Sequence, residues 1–389
     1  MKNNKWNIKL WEPSFSPWEP KKEHSKQIAV LMSGGVDSSV TAYLLKEQGY
    51  DVLGITMKIP VSCNTNSRGC CGADAALVCN ELDIPHYFID VTVAFEELVI
   101  KHFNQSYAKG ETPNPCVNCN TLLKFSLLWD FLEETFEISY LATGHYARVS
   151  KTSGRVYLGR AKDKTKDQSY FLYGIVSEKL ARLILPLGQL TKQKVRSIAA
   201  KLNLSVADKT ESMELCFAGE SNYRAVLNPA QANRYGDMTD MQGNIIGTHK
   251  GIANYTLGQR KGIGFAGSKP LYIGKIDAQT NTIALGTRDE ISTHIVRANW
   301  INALISEELI AGKHVYGKIR SYGDPGRCKL IDVGNNSITV VFDEPQFAPC
   351  PGQSLVLYNN DDNIIAGGTI SSETIPAVKV GATSRRVTI

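Results

Sequence analysis

One short stretch, Ser33-Gly34-Gly35-Val36-Asp37-Ser38, restricts the folds open to this chain more than any other. It follows an apolar run at residues 28–32 and precedes a helical pattern at residues 36–48. Because glycine lacks a Cβ atom, the backbone at the glycine pair can approach an anion closely and adopt positive φ. The first amides of the helix then point at the same anion, and the helix dipole favours negative charge there. The sequence therefore predicts a phosphate-binding turn between a buried strand and a helix.

The type of phosphate site follows from what the stretch contains and what it lacks. The lysine of a Walker loop, GxxxxGK[ST], is absent, whereas Ser33 and Ser38 supply hydroxyl donors. Asp37 is an unfavourable neighbour for phosphates unless a divalent cation bridges them, which implies Mg²⁺. The stretch resembles the pyrophosphate loop, SGGxDS, of ATP pyrophosphatases, which split ATP into AMP and pyrophosphate. The alternative is an ordinary junction between a strand and a helix that binds nothing.

The first half of the chain alternates strand and helix patterns. Strands are predicted at 28–32, 51–57, 86–90 and 140–143, and helices at 36–48, 73–82, 93–108 and 120–135. This alternation predicts an α/β fold with a doubly wound parallel sheet covered on both faces. Ligands of such sheets bind at the carboxyl ends of the strands. We therefore expect the glycine turn, the end of the second strand and Gly144-His145 to share one edge.

Changes in residue composition and hydrophobic pattern along the chain predict four segments. Residues 1–26 contain three tryptophans and resemble neither helix nor strand, so we interpret them as a poorly ordered extension. The catalytic domain spans 27–225, and a glycine-rich, β-rich central domain spans 226–295. Alternating runs then predict a small C-terminal β-barrel at 296–389, with strands at 313–321, 327–333, 337–343, 354–358 and 364–370.

Composition limits the partners and the compartment. The chain has 43 basic and 38 acidic residues, a net charge of +5 that permits nucleic-acid binding. Basic residues alternate with aromatic ones at 151–171, which suits contact with RNA but equally a solvated hairpin. No apolar run approaches the ~20 residues of a membrane span, and no secretion signal is recognisable. We expect a cytoplasmic protein without membrane contact.

The nine cysteines form two groups of interest. Cys116 and Cys119 lie in a loop with two prolines, at the predicted start of the helix at 120–135. A cysteine at a helix N-terminus has a lowered pKa, so Cys119 is a candidate nucleophile. A distant third cysteine, Cys216, lies near glutamates. The second group is Cys63, Cys70 and Cys71, for which a zinc site is one possible role, although the spacing fits no standard zinc pattern. The remaining cysteines, Cys79, Cys328 and Cys350, are expected to pack in the core.

Three interpretations of Cys116, Cys119 and Cys216 stay open on the residues alone. The first is sulfur transfer, in which one cysteine carries a persulfide and another resolves the product as a disulfide. The second is a 4Fe-4S cluster held by three cysteines with one iron left open. The third is burial of the thiols as small apolar side chains.

A series of motifs in order along the chain carries a resemblance. SGGVDSSV, PNPCVNCN, ATGHYAR, KDQSYFL, ELCF and YTLGQRKGIG are similar to the motifs of tRNA-specific 2-thiouridylases, bacterial enzymes that thiolate the wobble uridine. The resemblance covers the chain from about residue 27 onward. It implies ATP-dependent adenylation of the uridine O2, and then replacement of that oxygen by sulfur from a persulfide on Cys216, assisted by the nucleophile Cys119. A Cys119–Cys216 disulfide is an implied product.

The same resemblance implies the binding residues. ATP and Mg²⁺ would occupy a site formed by Leu31, Met32, Ser33, Gly34, Gly35, Val36, Asp37, Ser38, Met57 and Gly144, with Asp37 also catalytic. The target base would contact Asn114, Pro115 and Cys116. The tRNA would contact His145, Lys166, Asp167, Gln168, Arg320, Ser321 and Gln353. The implied partners are a tRNA with a wobble uridine and a sulfur-donor protein, either a persulfide relay or a cysteine desulfurase.

One position departs from the family pattern. Many relatives carry aspartate where this chain has Cys116, so a third cysteine here leaves persulfide and 4Fe-4S chemistry as alternatives. Two other classes compete with thiolation. Amidating ligases with the same loop need neither paired cysteines nor an RNA-binding barrel, and a tRNA- or metal-binding module without catalysis would not need an intact SGGVDS.

Overall fold

The structure is a computed structural model that describes residues 6–19, 26–60, 72–210, 215–217, 223–229, 233–265, 267 and 269–372. The predicted alternative zinc site at Cys63, Cys70 and Cys71 lies outside these residues, as do the glutamates near Cys216. None of the helices in the described ranges is both long enough and apolar enough to cross a membrane.

A six-stranded sheet forms the centre of the N-terminal half, with the strand order β1-β4-β3-β2-β5-β8. Its strands are β1 Lys9–Leu10, β2 Gln27–Leu31, β3 Asp51–Lys58, β4 His86–Asp90, β5 Tyr140–Thr143 and β8 Leu183–Ile184. All neighbours pair in parallel except β1, which pairs antiparallel with β4 at one edge. The predicted doubly wound α/β fold is confirmed.

Helices cover both faces of this sheet. They are α1 Val36–Glu47, α2 Ala73–Glu81, α3 at residues 92–108, α4 at residues 115–136, α5 Ser177–Leu180 and α6 Lys192–Lys201. Along β2 the side chains alternate between two cores, since Ile28 and Val30 pack with α1, α2 and α6, whereas Ala29 and Leu31 pack with α3 and α4. Burial on both faces explains why the strand is apolar throughout, as in parallel sheets generally.

Helix α4 begins five residues earlier than predicted. Asn114 is its N-cap and accepts a hydrogen bond from the Val117 amide, and Pro115 occupies the first turn. Proline suits that position because its fixed φ is helical and no intrahelical donor is lost. The helix continues as a π-helical segment, Cys119–Leu128, and ends as α-helix at Phe136. Helix α3 likewise contains a π-helical segment, Glu96–Ile100.

The N-terminal segment is not the unstructured extension that we expected, at least over residues 6–19. Strand β1 pairs with β4, and the amide of Trp11 donates to the carbonyl of Phe88 at 3.0 Å. The hydroxyl of Ser14 lies 2.8 Å from Nδ1 of His86. The ammonium of Lys58 lies 4.4 Å from the Trp11 ring centroid. Backbone pairing with β4 therefore holds the segment at the edge of the sheet. Such pairing does not depend on a side-chain pattern, so the sequence did not indicate it.

The remaining strands form a hairpin, a small sheet and a barrel. The hairpin pairs β6 Ala147–Thr152 with β7 Arg155–Arg160. The central sheet has the order β10-β9-β12-β11 and consists of β9 Gly236–Asp240, β10 Ile245–His249, β11 Tyr272–Asp277 and β12 Thr282–Gly286. Short 3₁₀ turns connect these units at Ser169–Phe171, Pro186–Gln189, Tyr223–Val226, Ile252–Asn254 and Ser306–Glu308.

The C-terminal barrel is closed, which confirms that part of the predicted fold. Its six strands are β13 Ser292–Ala303, β14 His314–Lys318, β15 Gly326–Val333, β16 Ser337–Phe347, β17 Ser354–Tyr358 and β18 Ile364–Ile370. Strand β13 was not predicted. The predicted boundary between the central domain and the barrel, after residue 295, falls inside this strand. Its burial alternates only weakly, because it pairs with two strands over different parts of its length.

An ion cluster centred on the buried Arg160 joins the hairpin to the barrel. Arg160 donates through Nε to Asp167 at 3.2 Å, through Nη2 to Asp324 at 2.8 Å and through Nη1 to Asp362 at 3.4 Å. The side chains of Arg160 and Asp167 are 8% and 1% exposed. Removing one member of a buried pair leaves an uncompensated charge, which is far more costly than loss of an exposed pair.

We expect Arg160→Met to lower the stability of the assembled domains by about 3 kcal/mol, because the buried carboxylate of Asp167 loses its ion-pair partner and is left with hydrogen bonds from Ala161 and Ser169. The double variant Arg160→Met/Asp167→Asn should recover much of this loss. Arg155→Met is the matched control. Arg155 lies on the same hairpin, and its ion pair with Glu307 is exposed, so it contributes less than about 1 kcal/mol. The midpoint of urea unfolding, followed by circular dichroism, measures all three, and equal shifts for Arg160→Met and Arg155→Met would contradict the role of burial.

Candidate functional site

The glycine turn at residues 33–38, here called the phosphate loop, connects β2 to α1. Gly34 has φ +68°, and a Cβ there would lie 3.1 Å from the Ala75 nitrogen and from Cβ of Asp74, so any other residue would be strained and crowded. Gly35 is the N-cap of α1, and because it has no side chain it cannot cap the first amides of the helix. The opening amides of α1 therefore keep the arrangement that suits an anion.

The end of β5 packs directly onto the phosphate loop. A Cβ on Gly144 would lie 2.9 Å from the carbonyl carbon of Asp37 and 2.9 Å from the Ser38 nitrogen. Strand β2 lies between β3 and β5, with Leu31 opposite both Ile55 and Thr143. The crevice between β2 and β5 is thus the switch point of the sheet, where ligands of this fold class bind. The predicted shared edge is confirmed.

Two residues that the sequence did not identify hold the carboxylate of Asp37. The ammonium of Lys192, at the start of α6, donates to both carboxylate oxygens at 2.7 Å. The hydroxyl of Tyr146 donates to Oδ1 at 2.8 Å. Lys192 lies 155 residues from Asp37 along the chain, and a lysine after an N-cap threonine carries no sequence signal for such a contact.

A second lysine also contacts the loop. Nζ of Lys209 donates to the carbonyl of Gly34 at 2.9 Å and to Oδ2 of Asp74 at 2.6 Å. Two lysines from the C-terminal part of the α/β unit therefore contact the loop, each paired with an aspartate. An ammonium so placed is also a donor that suits phosphate oxygens.

The other predicted ATP residues surround the same crevice. Met32 is buried, and its carbonyl accepts a hydrogen bond from Thr56 at 3.0 Å. Ser33 and Ser38 have their hydroxyl oxygens 3.2 Å apart. Met57 is half-buried at the end of β3. Of the predicted set, the buried members are Leu31, Met32, Gly34, Val36 and Ser38.

The three cysteines of interest lie within electrostatic range of one another. Cys119 is 7% exposed, whereas Cys116 and Cys216 are exposed residues. Burial of the thiol, together with the charges of Cys119 and Cys116, raises the pKa of Cys216 to about 12, although Lys124 acts in the opposite direction. The residue is exposed, but the protein around its thiol disfavours a thiolate.

The expectation that Cys119 has a lowered pKa is wrong. The helix begins at Pro115, after the N-cap Asn114, so Cys119 lies in its second turn rather than at its N-terminus. Burial raises the pKa of Cys119 and of Cys116, and Lys124 acts in the opposite direction on both. Lys124 donates to Oδ1 of Asn120 at 3.1 Å, one turn along the same helix. Nothing in the sequence around Lys124 indicates this electrostatic role.

Aromatic packing fixes the position of Cys216. The ring of Phe217 lies 5.8 Å from that of Phe95 and 5.6 Å from that of Phe103, both on α3. Phe217 is buried in the main core, and Leu215 packs against that core. The two neighbours of Cys216 therefore hold it over α3 while its own side chain stays exposed.

The cysteines as placed do not form a ligand set for a cluster. Within the ranges that the structure describes, no group of three or more His, Cys, Asp or Glu side chains is arranged to hold a metal ion. For Mg²⁺ the requirement is smaller, because that ion usually takes one or two carboxylates together with substrate phosphates. Asp37 at the phosphate loop, 34% exposed, fits this requirement.

The barrel supports the loop predicted to contact the target base. Nε2 of Gln353 donates to the carbonyl of Thr112 at 2.8 Å and to that of Pro113 at 3.2 Å. These residues directly precede the predicted base-contacting residues Asn114, Pro115 and Cys116. Gln353 therefore positions that loop, and Asn114 caps the helix that follows.

The other predicted tRNA residues differ in what their side chains can offer. Asp167 is buried and bound to Arg160, so its carboxylate positions the hairpin rather than facing RNA. Burial, together with Lys124, lowers the pKa of His145 to about 3, which keeps its ring neutral near pH 7. Gln168 accepts a hydrogen bond from the Tyr146 amide at 2.9 Å. Arg320 is exposed, Ser321 and Lys166 are half-buried, and the Arg320 guanidinium also donates to the Phe347 carbonyl.

Comparison with known proteins agrees with this architecture. Three family models match: "tRNA methyl transferase HUP domain" at residues 26–220, "tRNA methyl transferase PRC-barrel domain" at 224–287 and "Aminomethyltransferase beta-barrel domain" at 292–370. The tRNA-specific 2-thiouridylase MnmA of Lachnoclostridium phytofermentans is 41% identical over 358 residues, which covers 89% of this chain and 99% of the relative. That of Clostridium beijerinckii is 41% identical over 361 residues, with 90% and 99% covered.

The chain belongs to the tRNA-specific 2-thiouridylase family. Its relatives align over nearly their whole length, so the α/β unit, the central sheet and the barrel all fall within the shared architecture. A solved structure titled U34-tRNA thiolase NcsA from Methanococcus maripaludis, with its 4Fe-4S cluster, is 22% identical and covers 49% of this chain and 60% of its own. Its TM-score is 0.32, so the likeness carries no inference about a cluster in this family member.

The raised pKa of Cys216 has a direct consequence for its reactivity. At pH 8 only roughly one thiol in ten thousand is ionised when the pKa is about 12. Alkylation of Cys216 by iodoacetamide, followed by peptide mass spectrometry, should accelerate about tenfold per pH unit from pH 7 to pH 10. A plateau near pH 8 would contradict the raised pKa.

Lys124→Met should slow this labelling at any fixed pH, because it removes the cation that lowers the pKa of Cys216. Lys101→Met is the control, since it removes an exposed lysine from the neighbouring helix α3.

Proposed function

We propose that this chain is an ATP-dependent tRNA-uridine 2-sulfurtransferase that converts the wobble uridine of tRNA to 2-thiouridine. The observation that carries the proposal is the connection between the phosphate loop and the three cysteines. Gly144 packs on Asp37, the next residue His145 packs on Phe125, and Lys124 acts on His145 and on all three thiols. These contacts support a phosphate loop and a group of cysteines that act in one reaction, since Gly144-His145 and helix α4 link them.

The first half of the reaction takes place at the phosphate loop. The amides of α1 and the serine hydroxyls bind the phosphates of ATP, and Asp37 would hold Mg²⁺, which neutralises phosphate charge when bound. The uridine O2 attacks the α-phosphorus, and pyrophosphate leaves. The poor leaving oxygen at C2 thereby becomes part of AMP. A flipped base suits this step, because C2 cannot be reached inside a stack.

The second half uses the cysteines in different roles. Cys216 is exposed and can accept sulfur from a donor protein, either a persulfide relay or a cysteine desulfurase, whereas Cys119 is buried. The terminal sulfur of the Cys216 persulfide attacks C2, and AMP leaves. The thiol of Cys119, once deprotonated, attacks Sγ of Cys216, which releases 2-thiouridine and leaves a Cys119–Cys216 disulfide. A thiol reductant restores both cysteines.

The tRNA would lie across the hairpin and the barrel. Lys166, Gln168, Arg320 and Ser321 are the proposed direct contacts, and neutral His145 offers a hydrogen bond rather than a charge. Asp167 and Gln353 would support this surface without contacting RNA directly. Asp167 binds Arg160 of the hairpin, and Gln353 donates to the carbonyls of Thr112 and Pro113.

Separate variants should stop the two halves separately. Cys216→Ser should keep tRNA-dependent release of pyrophosphate and form no 2-thiouridine, because activation does not need the thiol. Asp37→Ala should lose pyrophosphate release and keep tRNA binding. Pyrophosphate assays and mass spectrometry of digested tRNA measure both, with a tRNA that lacks a wobble uridine as the control substrate. No pyrophosphate release from wild type with any tRNA would leave only a binding module.

The role of Cys116 decides between persulfide and cluster chemistry. Cys116→Asp should retain thiolation, since the persulfide route uses only Cys119 and Cys216. Protein purified without oxygen should lack the visible absorption of an iron–sulfur cluster. Iron bound to wild type, together with loss of both iron and activity in Cys116→Asp, would replace the persulfide mechanism by a cluster mechanism.

A further inference from the structure

The backbone of Lys192 is fixed at the start of α6. Its amide donates to Oδ2 of Asp163 at 3.0 Å, and Thr191 caps the helix by accepting from the Lys194 amide at 3.3 Å. The hydrogen bond from the Lys192 amide is the largest of the contributions that lower the pKa of Asp163. The main chain is thus anchored, and the long side chain of Lys192 extends from it to the phosphate loop.

The ammonium of Lys192 occupies the position where the loop is least suited to an anion. It is 2.7 Å from both oxygens of Asp37, and its side chain is only 12% exposed. A bare carboxylate here would repel a triphosphate, because two negative charges a few ångströms apart in a partly buried site strongly disfavour each other. The ion pair neutralises this repulsion.

Asp37 and a phosphate chain compete for the same cation. Asp37 is the second residue of α1, beside the amides that would bind the phosphates. A lysine ammonium is a mobile point charge with three donors, which suits it to exchange one oxygen anion for another. Tyr146 also donates to Asp37, so the carboxylate keeps a partner when the lysine moves.

We propose that Lys192 is a substrate ligand that moves from Asp37 to the pyrophosphate half of ATP when the nucleotide binds. This inference rests on the ATP-dependent function proposed above. The exchange frees the oxygens of Asp37 as the phosphates arrive. Lys192 then contacts the group that leaves in the activation step, so it discriminates ATP from AMP by the phosphates that AMP lacks.

The test compares affinities for nucleotides with and without the pyrophosphate half, measured by calorimetry. Lys192→Gln should weaken binding of ATP in the presence of Mg²⁺ by about ten- to a hundredfold, the usual value of a charge-assisted hydrogen bond, and change AMP binding by less than about twofold. Lys194→Gln is the matched control, because it removes an exposed lysine two residues away on the same helix and should leave both affinities unchanged.

A purely structural ion pair predicts a different pattern. Equal losses of ATP and AMP affinity in Lys192→Gln, or no loss of either, would overturn the proposal. Wild-type protein that binds neither nucleotide would instead refute the ATP-dependent function itself, which separates the two failures.

A second comparison covers the case in which Lys192→Gln alone does not fold. Asp37→Asn keeps the lysine, and Asp37→Asn/Lys192→Gln replaces both charges by amides of similar size that can hydrogen-bond to each other. Inorganic pyrophosphate without metal is the probe. The double variant should bind it at least about tenfold more weakly than Asp37→Asn, since only the latter offers the ammonium. Equal pyrophosphate affinity in the two variants would overturn the proposal.

Discussion

The close approach of Gly144 to the backbone of Asp37 and Ser38 is the contact on which the rest of the site depends. A Cβ at position 144 would lie 2.9 Å from backbone atoms of both residues, so a residue larger than glycine does not fit. Because β5 ends there, the residues that follow it are delivered to the phosphate loop: Tyr146 to the carboxylate of Asp37, and His145 to Phe125 on α4. One steric constraint at the switch point thus places the phosphate loop close to helix α4, which carries Cys116 and Cys119.

The sequence predicted the elements whose residues are constrained locally. Strands β4 and β5 match their predicted bounds, because a parallel strand buried on both faces is an apolar run with clear ends. The phosphate loop follows from the glycine pair and its position between strand and helix. The barrel was recognisable from its alternation, although β13 was missed because its burial alternates only weakly.

What the sequence could not predict depends on contacts between distant residues. Lys192 and Lys209 reach the phosphate loop across 155 and 175 residues, and nothing near either lysine indicates this. Two prolines at 113 and 115 suggested an extended loop, yet the second one fits the first turn of α4. Cys119 therefore lies in the second turn, and burial raises its pKa instead of a helix N-terminus lowering it. The edge strand β1 was missed because backbone pairing needs no side-chain pattern.

The contact between Lys209 and Gly34 also limits how far Cys216 can lie from the phosphate loop. Lys209 precedes Cys216 by seven residues. A fully extended chain of that length spans about 25 Å at most. While the ammonium of Lys209 stays on the Gly34 carbonyl, Cys216 lies within that span of the Lys209 backbone. In the proposed mechanism the sulfur donor must therefore reach Cys216 on the same α/β unit that carries the phosphate loop.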